Sequence, residues 1–104
     1  MPVRQLRNRQ SRDHQTLVQQ LITEWRNPQL TAAEPVILEE FNNAGALAHV
    51  YVVWSAWEDV DRAERGEIIM EAAEARFGSA DIEEITIAMG LTPAEADRLN
   101  LAWR

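Results

Sequence analysis

Apolar positions fall in three distinct rhythms along this chain. Leu17, Val18, Leu21, Ile22 and Trp25 recur at steps of three and four, which predicts one face of an amphipathic helix. Ser11 or Asp13 is placed to cap its start, and Asn27-Pro28 to end it after about Arg26. From Pro35 to Phe41 and from Ala46 to Trp54 the rhythm changes to dense, β-branched runs around Asn42-Asn43-Ala44-Gly45, which predicts two strands and a turn. The second run, His49–Trp54, is apolar on both faces and so reads as the more central strand.

A helical rhythm returns after Asp61. Ile68, Ile69, Ala72, Ala73 and Phe77 form one apolar face, with Glu71 among the acidic residues assigned to the solvated side. Asp61 followed by Glu64 predicts an N-terminal cap, and Gly78 predicts the stop. The spacing suits ion pairs Asp61–Arg65 and Glu58–Arg62. Residues 81–89 fit two patterns. As a strand they put Ile85, Ile87 and Met89 on one face; as a helix they align Ile82, Ile85 and Met89. The strand is preferred over Ile85–Met89, because a two-stranded hairpin alone is marginal and needs a third partner. Thr92-Pro93-Ala94-Glu95 then opens a last helix with a capping hydroxyl and a reciprocal glutamate, carrying Leu99 and Trp103 one turn apart. The predicted order is α-β-β-α-β-α: a single small α+β domain over residues 11–104, with a three-stranded mixed sheet and helices packed on it, preceded by a flexible basic arm over residues 1–10.

Composition narrows the chemistry. The chain has 104 residues and no cysteine, which excludes disulfides and thiolate chemistry. No apolar run is long enough to span a membrane, and no apolar stretch follows the basic N-terminal residues, so the expected location is the cytoplasm. Residues 1–30 carry Arg4, Arg7, Arg9, Arg12 and Arg26 against Asp13 and Glu24, a net of +3. Residues 31–104 carry five arginines against fifteen carboxylates, a net of −10, for −7 in all. A body this acidic repels phosphate backbones. The arm Arg4, Arg7, Arg9 and Arg12 remains the candidate contact with nucleic acid. A helix-turn-helix reading of residues 82–99 is disfavoured, since Glu95 and Asp97 would face the phosphates.

No catalytic, metal-binding or cofactor-binding residue is assigned. His14 and His49 are too few for a metal site without converging partners. His49 instead suits a cross-strand pair with Glu39 or Glu40. Ser11, Ser55 and Ser79 sit in no nucleophile elbow, and there is no phosphate-binding loop or dinucleotide fingerprint. The candidate contact residues are Tyr51, Trp54 and Trp57, gathered where the second strand ends. Such rings either cover the sheet against the helices or anchor an interface. The interface reading requires at least one indole outside the core.

The run ALAHVYVVWSAWEDVDRAERGEIIMEAAEARFGSADIEEITIAMGLTPAEA resembles the BolA-like family, whose members have a type-II KH-like arrangement. An apolar second strand leads into an aromatic loop, matched by Trp57, then a helix, a third strand at Ile85–Met89 and a threonine-proline-opened helix. Coverage is about residues 34–98. The resemblance implies the fold. It does not carry the family's metal or DNA roles, because Glu84 stands where the family has a histidine and its arginine-histidine-arginine cluster is here Glu64-Arg65-Gly66. The expected function is a non-enzymatic protein-interaction module that self-associates. The alternatives are nucleic-acid binding by a KH-like surface or the arm, and an unrecognised enzyme or small-ligand binder.

Overall fold

In a computed structural model, which describes residues 12–29 and 33–104, the chain follows the predicted order. Helix α1 (Arg12–Arg26) leads to strands β1 (Val36–Phe41) and β2 (Leu47–Val53). A 3-10 turn at Ser55–Asp59 enters α2 (Arg62–Phe77), and β3 (Ile87–Leu91) and α3 (Pro93–Arg98) complete the domain. The sheet order is β1-β2-β3: the hairpin is antiparallel, and β3 lies parallel to β2 after the α2 crossover. The more central strand is β2, as its two apolar faces require.

The helix boundaries follow the local chemistry. Asp61 accepts the Glu64 amide at 3.0 Å, and Gly78 ends α2 at φ 96°, a conformation open to glycine at little cost. Asn42 organises the hairpin, its side chain accepting the amides of Ala44 and Ala46. Strand β3 begins two residues later than expected. Ile85 closes a turn on Ile82, and the ladder starts where the Thr86 amide donates to Ala48. A shift of two preserves the faces, so Ile87 and Met89 still share one side and Ala88 takes the other. The last helix stops at Arg98, so Leu99 and Trp103 do not share it. Of the predicted arm, Arg4, Arg7 and Arg9 lie outside the described residues, while Arg12 is the first residue of α1.

Helices α1 and α2 lie side by side on one face of the sheet. Leu21, Val50, Val52, Trp57, Ile68 and Ile69 meet there with no exposed surface. Trp25 packs edge-on against Phe77 and donates its indole N–H to Glu39 at 2.9 Å. A smaller cluster of Val53, Leu91 and Ala96 lies on the opposite face, joined by Val36, Leu38, Leu101 and Trp103. No helix of the described residues is long and apolar enough to cross a membrane.

Candidate functional site

The three aromatic candidates separate. Trp54 is 6% exposed and Trp57 is fully buried, stacked edge-to-face at 5.1 Å, and the Trp57 indole donates to the Val52 carbonyl. The expectation of an exposed indole is therefore corrected: both rings close the core beneath the 3-10 turn. The sequence placed them three residues apart in an exit from a strand, but the 3-10 turn curls that segment inward instead of leading it into solvent.

Tyr51 goes the other way. In register it lies between Leu38 and Met89, on the sheet face that α1 and α2 leave uncovered. That face has three rows. Val36, Val53 and Leu91 form one, and α3 with the residues after it lies over this end. Leu38, Tyr51 and Met89 form the middle row; Leu38 packs against the covered cluster, Tyr51 is half-buried and Met89 is 39% exposed. Glu40, His49 and Ile87 form the bare end. His49 bonds Glu40 at 2.8 Å, the expected cross-strand pair. Glu40 is the one carboxylate among the nine strand positions of this face.

The cover at the far end is fastened by polar contacts. Asp97 accepts the Trp103 indole at 3.0 Å and the Arg104 guanidinium at 2.9 Å. Both hold its carboxyl below the usual range, the indole bond most. At the head of α3, Thr92 and Glu95 form a reciprocal capping box. The Thr92 amide is the main reason the Glu95 carboxyl is depressed, with Arg65 and Arg62 adding to it.

Arg65 is the most heavily bonded side chain of the core. Only 5% exposed, it donates to the carbonyls of Val60, Gly90 and Trp57 and to Glu95 at 2.8 Å. It ties the 3-10 turn, α2, β3 and α3 together. The pairs predicted with Asp61 and Glu58 give way to Glu95, which both Arg65 and Arg62 reach. The Arg65 guanidinium is enclosed by these partners, while the Arg62 side chain stays exposed.

The histidine of α1 is the site that the sequence did not mark. His14 is 1% exposed, with Nδ1 2.9 Å from a Glu64 oxygen and Nε2 2.7 Å from a Glu71 oxygen. Glu71 therefore reaches α1 as well as solvent, its side chain 41% exposed, which adds a partner to its predicted place on the solvated side. The missing signal was helix phase: α1 and α2 pack side by side, so one residue upstream of the apolar stripe meets the seam. Two carboxylates on opposite ring nitrogens cannot converge on a metal ion, and among the described residues no group of three or more His, Asp or Glu is arranged to hold one.

A groove of about 320 Å³ opens beside His14, lined by Asp13, Thr16, Leu17, Ala56, Asp59, Val60 and Glu64. A wider groove of about 580 Å³ runs along the outer side of α1 past Gln15, Gln19 and Thr23 to Pro35 and Trp54. Comparison of the chain with protein-family models, with curated proteins and with solved structures returns no match.

Proposed function

We propose that this chain is a non-enzymatic interaction module that pairs with a second copy of itself through the bare face of its sheet. One observation carries the reading: the Leu38–Tyr51–Met89 row is left partly open, next to a row that α3 and Trp103 cover. Charge selects the occupant. Two bodies of net charge −7 repel over most of their surfaces, but this face holds a single carboxylate already paired with His49. Shape agrees, because each face has a raised end and a bare end. Stacked antiparallel, the Glu40 end of one copy meets the raised end of the other, bringing Glu40 towards Arg104. Kinship with the BolA-like, type-II KH-like arrangement enters as architecture, which the α-β-β-α-β-α order supports.

Area sets the strength. Strands about 4.8 Å apart, rising about 3.3 Å per residue, give a three-stranded face of roughly 250 Å². A standard interface buries about 800 Å² per partner. The raised end must supply the remainder, so the pairing is weak and depends on concentration. Sedimentation equilibrium from about 1 µM to 1 mM should show the mass rising towards that of a dimer. Met89→Glu, at an exposed position, should keep the circular dichroism of the parent and stay monomeric. A parent that remains monomeric throughout, or a Met89→Glu variant that associates equally well, overturns the proposal.

A further inference from the structure

We propose that His14 is a proton-operated clasp holding the first turn of α1 to α2: protonated, it bridges Glu64 and Glu71; deprotonated, it can keep only one of them. The argument begins with hydrogen-bond inventory. An ionised carboxylate only accepts, so a ring with a carboxylate on each nitrogen must donate from both. Both separations, 2.9 and 2.7 Å, are those of short, charge-assisted bonds. The ring present in this geometry is therefore imidazolium. Loss of its proton turns one nitrogen into an acceptor facing a carboxylate, and that contact becomes repulsive.

The surroundings reinforce the sign. Besides Glu71, which bonds the ring from α2, the described charged groups lining the groove at this ring are Glu64 from α2, Asp13 from α1 and Asp59 from the 3-10 turn. Among the described residues no arginine lines it. Burial works against the charged ring, yet the bonds and charges of Glu64 and Glu71 outweigh it and raise the His14 pKa above its ordinary 6.5. The open groove gives water and protons a route to a ring that is otherwise sealed.

The reach of the device follows from what else holds α1. Val18, Leu21, Ile22 and Trp25 are buried further along the helix, and their apolar contacts do not depend on pH. Deprotonation consequently frees the start of α1, residues 12–16, and leaves the rest docked from Leu17 onward. A group with a raised folded pKa contributes its full stability below the unfolded value. That contribution fades as pH rises through the folded value. The window opens at about pH 6.5 and runs up through the raised folded value.

The test needs no knowledge of a partner, and it stands whether or not the chain self-associates. Nitrogen-15 spectra of the parent through a pH titration should show both His14 ring nitrogens protonated at pH 6 and the ring losing its proton only above pH 6.5. Urea unfolding should show the folding constant falling by up to tenfold per pH unit within the window. His14→Gln should lose that slope, which removes any contribution from His49 by difference. Should His14→Gln fail to fold, Glu71→Gln keeps the ring and should move its deprotonation to lower pH. A His14 that titrates at or below pH 6.5, equal slopes in parent and His14→Gln, or an unmoved titration in Glu71→Gln each overturns the clasp.

Discussion

Arg65 shows how a residue that looks functional in sequence becomes structural in the fold. An arginine on an acidic helix could meet a phosphate, but the donors of Arg65 are occupied by three backbone carbonyls and Glu95. Two of those carbonyls, Trp57 and Val60, lie in the exit from β2 outside the sheet ladder, and the guanidinium supplies them with donors beside the Val60 amide that Trp57 also accepts. Gly90 is matched to it. A Cβ there would come within 2.9 Å of the Arg65 Cβ and 2.8 Å of the Trp57 ring. Replacing Arg65 with alanine should cost about 3–5 kcal/mol, because it strands a buried acceptor set and the Glu95 charge. Arg65→Lys should recover only part of this, since an ammonium cannot reproduce the planar fork. Urea unfolding of the two variants measures both numbers, and full recovery in the lysine variant would show that charge alone matters. At this scale the sequence was least informative. Arg65, His14 and Glu71 reveal their roles only through partners that lie 30, 50 and 57 residues away.

Elements were far more legible. The apolar rhythm of α1 and α2, the Asn-rich hairpin and the Thr92 cap each rest on neighbours within a few residues, and each is in the structure where those neighbours demand it. The third strand was ambiguous because Ile85 and Met89 fit both periods, with Ile87 completing a strand face and Ile82 a helix face. Its pairing is decided by β2, whose Ala48 carbonyl receives the Thr86 amide. The length of α3 was misjudged because Leu99 and Trp103 repeat at helical spacing. Asn100 at φ 59° turns the chain instead, and Trp103 returns to Asp97. The capping box of α3 has a pH signature of its own. The Glu95 carboxyl lies below its ordinary 4.5, held down first by the Thr92 amide and then by Arg65. Its stabilisation is therefore present above pH 4.5 and fades as pH falls through the depressed value. Glu95→Gln should be less stable than the parent at pH 7, and the gap should close on acidification. A gap of constant size between pH 7 and pH 2.5 would show that the charge of Glu95 contributes nothing.

Over the whole molecule, the fold sorts its aromatic and charged residues in a way that composition alone could not show. Both tryptophans at the exit of β2 went to the core, while the proposed contact surface is a face marked by Leu38, Tyr51 and Met89. That face was implicit in the alternation of each strand. What hid it was the parallel placement of β3, which sets Met89 beside Tyr51 only once α2 has crossed over. The uneven charge then separates the remaining functional readings by their response to salt. Association of two acidic bodies through an apolar face works against a net −7 on each copy. Screening shortens from about 10 Å at 0.1 M salt to about 3 Å at 1 M, which weakens that repulsion. Self-association should therefore strengthen as sodium chloride rises from about 0.05 to 0.5 M, while Met89→Glu stays monomeric at both ends. Nucleic-acid binding through Arg4, Arg7, Arg9 and Arg12 would behave in the opposite way. Releasing counterions from even four phosphates gives a salt slope near −3 to −4, so raising salt tenfold should weaken such binding by about a thousandfold or more. Sedimentation of the protein alone and in mixture with a single-stranded oligonucleotide, at both salt concentrations, reads the two signs directly. Dimer mass that falls with salt would mean that charge pairs, such as Glu40 with Arg104, hold the copies together in place of the Leu38–Tyr51–Met89 row.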